Sequence, residues 1–453
     1  MGTFDWARSL YSRLRPRPTE DAAVERAFGV TPAASKAMKE GAALWYDLYI
    51  NDPPWRGEDP RLKPSGLPGA IGRELARNAL AEFSVAVSGG ERAEYLNRLM
   101  QEAANGFGKQ LELGLCLGGI AFRPYLERGR LCIDMSHAGA FTPIDFDGGG
   151  RAIAGVFKET ASHNGQTYTR LEYHGFEPLE DGEVYVIRSK AYRGEAGGQE
   201  VRLGSVPKWA GIAPEVRIEN LERPLFAYFK NPSSNDIDPE SPMGVSVYGG
   251  EANLELLRQA EEQWYWLRWE FKSGKRKIYS DGSAVSPSQF DDELFTRGKF
   301  TADGNLFETF SPEFRQEALY QGFQWILQRL EYNVGLSFGT ISDPQSVERT
   351  ATEILAAKNR QRITVKAIQK AFEDTLDELL YALDVYGTLY ELAPEGEYEV
   401  IYSWVDGVLD DPETVRQDKA LDLQEVEAGI RTPWEYRVKW YRERPEEAKE
   451  KLS

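Results

Sequence analysis

The stretch EEQWYWLRWEFKSGKRK, residues 261–277, decides how the rest of the chain is read. Three tryptophans, a tyrosine and a phenylalanine fall in the eight residues from Trp264 to Phe271, and a cationic cluster follows at once. Leu254, Leu256, Leu257, Ala260 and Leu267 surround them, Glu, Gln and Arg fill the other places and no proline intervenes, so a helix is predicted over 247–272. At ~100° per residue, Trp264, Tyr265, Trp266, Trp269 and Phe271 point in nearly every direction around that helix. A helix on the surface of one domain carries a single apolar stripe. This one needs neighbours on several sides.

The chain has 453 residues, enough for two to four domains, with 41% hydrophobic and 28% charged residues. No segment approaches ~18 uninterrupted apolar residues, so no membrane span is expected. The first 29 residues lack an apolar run of signal-peptide length and read as an amphipathic helix broken at prolines. Gly2 is not followed by Ser or Thr at the usual myristoylation position, so that modification is not expected. Cys116 and Cys132 both stand in apolar settings and read as reduced core thiols of a cytosolic protein. The three histidines are too scattered for a His-based metal site; at most His163 and His174 would meet across a hairpin. The net charge of −18 argues against a protein that grips nucleic acid over a broad surface, because that affinity comes from Lys and Arg replacing counterions. It leaves room for one past which nucleic acid must slide without sticking.

Residues 30–126 read as mainly helical, with a break near Asn105-Gly106. From 120 to 193 short strands alternate with turn signals at Glu127-Arg128-Gly129 and His163-Asn164-Gly165, the pattern of an antiparallel meander. The aromatic helix leads into an excursion over 275–311 with an expected hairpin, and a helix returns over 312–334. A polar loop over 335–349 precedes a long helix, with Thr350 and Glu353 as its capping box and Gly387 as its C-cap. The two helices that flank the excursion are expected to lie antiparallel, and a bare pair cannot bury aromatics on every side without other copies or other parts of the chain.

Catalytic signatures are missing. The Walker A pattern fails in NGFGKQ, where Ala103 and Gln110 occupy required positions, and in KSGKRK, where Trp269 and Arg276 do. Neither HExxH, GxSxG, paired CxxC nor a GxGxxG after a strand occurs. Asp236, Asp238 and Glu240 could supply oxygen ligands to Mg²⁺ or Ca²⁺, but acids before proline are ordinary turn chemistry. Lys272, Lys275, Arg276 and Lys277 offset the dipole at a helix C-terminus, and the same cluster suits contact with phosphate or an acidic partner.

Several stretches, in this order and spacing, resemble the portal proteins of tailed bacteriophages, especially the type common in long-tailed phages of Gram-positive hosts. They are LELGLCLGGIAFRPYLERGRL, YTRLEYH, FAYFKNPSSNDIDPESPMGVSVYGGEAN, WEFKSGKRKIY, GLSFGTISDPQSVERTATEI and VDGVLDDPETVRQDKALDLQEVEAGIRTPWEYRVKWY, and the resemblance as a whole covers about residues 39–452. The resemblance implies an α+β portal fold: an α/β wing over 1–246, a stem of helices 247–274 and 312–334, a clip over 275–311, a tunnel loop over 335–349, a long helix over 350–387 and a crown over 388–453. It implies a ring, usually of twelve copies, at one capsid vertex in the virion, assembled in the host cytoplasm. Double-stranded DNA would pass through it, and the terminase large subunit, a head-tail adaptor, and the major capsid and scaffolding proteins would be its partners. Ser337, Phe338, Thr340, Ser342, Asp343, Gln345 and Arg349 would then line the channel, and Trp264, Trp266, Trp269 and Phe271 would pack between subunits. The clip and crown are shorter than in larger relatives, which leaves their contacts open. No cofactor or catalysis is expected, since the packaging ATPase would be another polypeptide. A Mg²⁺-dependent phosphoesterase using Asp236, Asp238 and Glu240, or an adaptor without a channel, are the rival readings.

Overall fold

The computed structural model describes residues 21–180, 182–273, 277–281, 295–298, 307–310, 315–344, 351–404, 412–441 and 445–452. The fold is mixed helix and sheet. Its first section is helical: α1 (Asp21–Phe28), α2 (Lys36–Tyr49), the single turn α3 (Trp55–Glu58) and α4 (Leu67–Leu80), then strand β1 (Ser84–Gly89) and helix α5 (Glu91–Leu117). Ser35 caps α2, its hydroxyl oxygen accepting from the Met38 amide at 3.3 Å. The break expected near Asn105-Gly106 does not occur, and α5 runs through both residues. Ala103, Phe107 and Leu111 are all buried in the core, and that burial outweighs the weak helix propensity of Asn and Gly. Cys116 lies against Gly72 where α4 and α5 meet, and burial pushes its thiol up to about 12. Both cysteines are free thiols.

The chain then turns to strands: β2 (Gly119–Glu127), β3 (Arg130–His137), β4 (Phe141–Phe146), β5 (Ala152–His163), β6 (Gln166–Leu179), β7 (Gly182–Arg193), β8 (Gln199–Val201), β9 (Glu215–Glu219) and β10 (Ala227–Lys230). The meander expected over 120–193 is split: β2 and β3 pair with each other and, with β10, make a separate three-stranded sheet, while β4 to β8 form an antiparallel meander with β9 also paired to β7. Arg128 and Gly129, and likewise Asn164 and Gly165, have positive φ, the backbone of a tight hairpin turn that matches strand twist. The register puts His163 opposite Gln166 and His174 opposite Gly155, so the two histidines do not meet. His174 instead bonds Tyr185 and Glu172, each at 3.0 Å. Glu172 is buried between Arg123 and Arg170, and although burial alone would raise its pKa, the two guanidiniums hold its carboxyl well below the usual range.

The last section contains α6 (Glu251–Ser273), the short strands β11 (Lys277–Asp281), β12 (Phe295–Gly298) and β13 (Phe307–Phe310), then α7 (Gln316–Val334) and α8 (Ala351–Leu389). Strand β14 (Tyr398–Ser403) and helices α9 (Pro412–Glu427), α10 (Pro433–Tyr441) and α11 (Pro445–Glu450) complete it. Helix α6 starts four residues later than its composition predicted, because Val247 and Tyr248 are buried in a turn before Gly249 and Gly250. The Asp236 side chain lies against Gly250, where the helix dipole favours an anion. Helix α8 does not end at Gly387. The helix continues to Leu389, and Gly387 leaves space for the buried guanidinium of Arg92, which pairs with Asp384 at 3.1 Å. The expected capping residue Thr350 lies outside the described residues.

Two long-range joins hold the sections together. Strand β14 pairs antiparallel with β1, Ser84 opposite Ser403. Helix α8 supplies Phe372 to a cluster with Phe107, Phe122 and Phe229, whose rings meet edge to face with centroids 5.3–6.2 Å apart.

Candidate functional site: a helix pair and the loop latched to it

Helices α6 and α7 run antiparallel, as their cross-contacts show. Asn253 meets Asn333 near one end, Gln263 reaches the Leu319 carbonyl in the middle, and Glu270 binds Arg315 at the other end. Leu257, Ala260 and Leu267 are buried on α6, and Leu327, Leu330 and Val334 on α7. The aromatics do not share that burial. Trp266 is 49% exposed, Trp269 45%, Phe271 53% and, on α7, Trp325 67%. Trp264 rests partly on Phe323, with ring centroids 5.8 Å apart. A soluble monomer rarely leaves so many large rings in water on one helix pair, and aromatic enrichment of this kind marks protein interfaces.

The outer side of α6 is backed by the segment around α3. The buried Glu261 carboxylate accepts from the Trp55 indole N–H at 2.8 Å and from the Ser65 amide at 2.8 Å and hydroxyl at 3.1 Å. This three-point anchor holds residues 55–65 beside the helix. Arg61 then lies over the Tyr265 ring at 5.4 Å.

Between α6 and α7, β11 pairs parallel with β12 and antiparallel with β13, a three-stranded sheet rather than a simple hairpin. Of the basic cluster, Lys272 is exposed near the C-terminus of α6 and Lys277 opens β11, while Lys275 and Arg276 lie outside the described residues.

Residues 336–344 fold back on α7. Glu331 is fully buried, and its carboxylate accepts from the amides of Gly339 (3.2 Å), Ile341 (2.7 Å) and Ser342 (2.9 Å) and from the Ser342 hydroxyl (2.8 Å). Gln324 accepts from the Asp343 amide at 2.7 Å, and the Tyr320 hydroxyl donates to the Asp343 carboxylate at 2.7 Å. From α8, Gln361 accepts from the Ser337 amide at 3.1 Å. Ser342 is only 6% exposed, with its hydroxyl committed to Glu331. Thr340 donates to the Ser337 carbonyl at 2.6 Å. Phe338 is covered by Arg360, which also stacks over Tyr332 at 4.1 Å. Gln345 and Arg349 lie outside the described residues.

Sequence reasoning missed Glu331, Gln324 and Glu261. A signal was present for the first: Glu331 sits in the apolar spacing of Leu327, Leu330 and Val334, where a charge must have partners if it is buried.

Asp236, Asp238 and Glu240 sit in a loop organised by Asn235, whose side-chain oxygen accepts from the Ile237 and Asp238 amides at 3.1 and 2.9 Å. Among the described residues no group of three or more His, Cys, Asp or Glu side chains is arranged to hold a metal ion, and no helix is long and apolar enough to cross a membrane.

No protein-family profile matches the chain, and no curated protein matches it. Among solved structures it is similar to a chain of the "Neck of native GTA particle computed with C12 symmetry". The TM-score is 0.38 and the identity 11%, over 83% of this chain and 89% of that one. A likeness of that size leaves the reading to the residues themselves.

Proposed function

We propose that this chain is a portal-type subunit of a tailed phage, a head-tail connector whose copies close into a ring at one capsid vertex. Double-stranded DNA would enter and leave through the ring, which would dock the packaging terminase and later a head-tail adaptor. The observation that carries the reading is the helix pair α6/α7. It bears large exposed rings, holds a small three-stranded sheet between its ends, and continues through a latched loop into the 39-residue helix α8. That order of parts suits a stem, a clip, a tunnel loop and a helix leading to a crown, and it supports the portal resemblance carried by the sequence. The charge of −18 per subunit suits a conduit that repels the duplex backbone. In this reading the protein has no chemistry of its own and works by shape, charge and assembly.

The test is the mass and outline of the purified protein. Closed rings with a central opening wide enough for duplex DNA, seen in class averages of negatively stained particles, are the expected result. A single species near the 51.2 kDa chain mass at every concentration and ionic strength would sink the proposal. Closed rings too narrow for a duplex would favour an adaptor without a channel.

A further inference from the structure

We infer that neighbouring copies join head to tail, with Trp325 of one copy entering the cleft between the 55–62 segment and helix α6 of the next. The inference rests on the ring reading above and names the contact that builds the ring.

The cleft has a volume of about 360 Å³ and is lined by Trp55, Glu58, Arg61, Leu62, Tyr265 and Trp266. Glu261 anchors Trp55 from behind, and Arg61, paired with Asp59 at 2.7 Å, lies over Tyr265. The rings of Trp55, Tyr265 and Trp266, the Leu62 side chain and the planar Arg61 guanidinium offer a slot for a flat aromatic knob, with Asp59, Arg258 and Glu262 also on its walls.

The knob is on the opposite side of the subunit. Asn253, Ala260 and Leu267 recur every seven residues along the α6 face turned to α7. At ~100° per residue, Arg258, Glu262 and Tyr265, which line the cleft, lie about half a turn from that face. On α7, Phe323 and Leu330 turn to α6, Trp325 and Tyr332 lie about half a turn away, and Arg329 lies about a third of a turn away. Knob and cleft therefore cannot meet within one chain. A two-fold pairing would bring knob against knob, whereas a repeated rotation brings each knob to the next cleft, which is the heterologous contact that closes rings.

Charge agrees with that polarity. Arg329 stands one turn beyond Trp325, over the Tyr332 ring at 5.5 Å. Glu58 is exposed at the rim of the cleft. Docking the knob would bring the cation to the acid.

The experiment mixes two variants of the full chain. Trp325→Ala lacks the knob and keeps the cleft; Trp266→Ala with Glu58→Arg keeps the knob and spoils the cleft. Each alone should stay at the monomer mass. Their equimolar mixture should form one species at about twice 51.2 kDa that grows no further, because only one knob–cleft pair is intact. Formation of that heterodimer also shows that both variants are folded, and circular dichroism checks each one separately. Trp325→Phe should retain assembly. If either variant alone forms wild-type rings, or the mixture stays monomeric while the wild type makes rings, the knob and cleft are refuted and the portal reading stands. If the wild type forms open head-to-tail chains that the same variants block, the contact stands and the portal ring falls.

Discussion

The hydroxyl of Ser342 donates to the buried carboxylate of Glu331 at 2.8 Å, across eleven residues of sequence. Three backbone amides of the same loop converge on that carboxylate. A carboxylate out of water is costly unless its lone pairs are filled, and here the loop after α7 fills them. The loop thus has a defined docked state, and in a channel its displacement would be a discrete event rather than a gradual drift.

Glu331→Ala should free that loop. It leaves buried amides without an acceptor, so stability to denaturant should fall by about 2–4 kcal/mol, and the Ile341 and Ser342 amides should lose protection from hydrogen exchange. Glu331→Gln, which keeps one acceptor oxygen, should cost less. Unchanged protection at Ile341 and Ser342 in the alanine variant would show that Glu331 does not hold the loop.

Gly244→Ala should be among the most damaging small substitutions in the chain. A Cβ there would strike the carbonyl oxygen of Gly118, while Gly118 itself needs φ of +87 and has the Gly244 backbone against it. Neither backbone can retreat easily, because the Gly118 carbonyl accepts from the Asn231 amide at 3.0 Å and Val247 donates to Leu115 at 3.0 Å. A loss of roughly 3 kcal/mol, read as a lowered denaturation midpoint, is expected. Two stretches that carried the portal resemblance, LGLCLGG and SPMGV, meet at this point.

Glu378 should make stability depend on pH near neutrality. Burial pushes its carboxyl up to about 7, against the opposing influence of Arg151 and Arg223. A folded pKa above the unfolded one means that the contribution is complete below about pH 4.3 and is lost as pH rises through about 7. Glu378→Gln should remove this dependence. Wild-type stability relative to the variant should decline by on the order of 3 kcal/mol between those limits, and a flat difference across that range would refute the assignment.

Glu261→Ala should loosen the wall of the cleft without touching its lining. The Trp55 indole N–H would lose its 2.8 Å acceptor in a buried place, at a cost of about 1–3 kcal/mol. Assembly should weaken together with exchange protection at Ser65. Full-strength assembly with the segment released would separate the two.

Composition and spacing made much of the architecture legible. Hairpin turns at Arg128-Gly129 and Asn164-Gly165, the antiparallel pairing of the strands they join and the long helix are local matters of φ and periodicity, and they are where the patterns place them. Failures came where distant residues overrode local preference. Core packing carried α5 through Asn105-Gly106, and Arg92 occupied the space beside Gly387, which propensity alone reads as a helix end. The site was half visible. Trp266 and Trp269 announced a helix with too many apolar sides, but Glu331 and Glu261 read as ordinary surface charges until their partners were in place.

The sequence by itself determined that α6 must have neighbours, because five rings spread at ~100° intervals cannot share one stripe. Its net charge of −18 argues in addition against a protein that holds nucleic acid over a wide surface. Only the tertiary structure decided which rings remain uncovered, because the answer depends on α7 taking one face of α6 and on Trp55 and Ser65 closing on Glu261 from 206 and 196 residues away. Contacts of that span leave no periodic trace in a chain. They exist only when the fold brings the two partners together and water leaves.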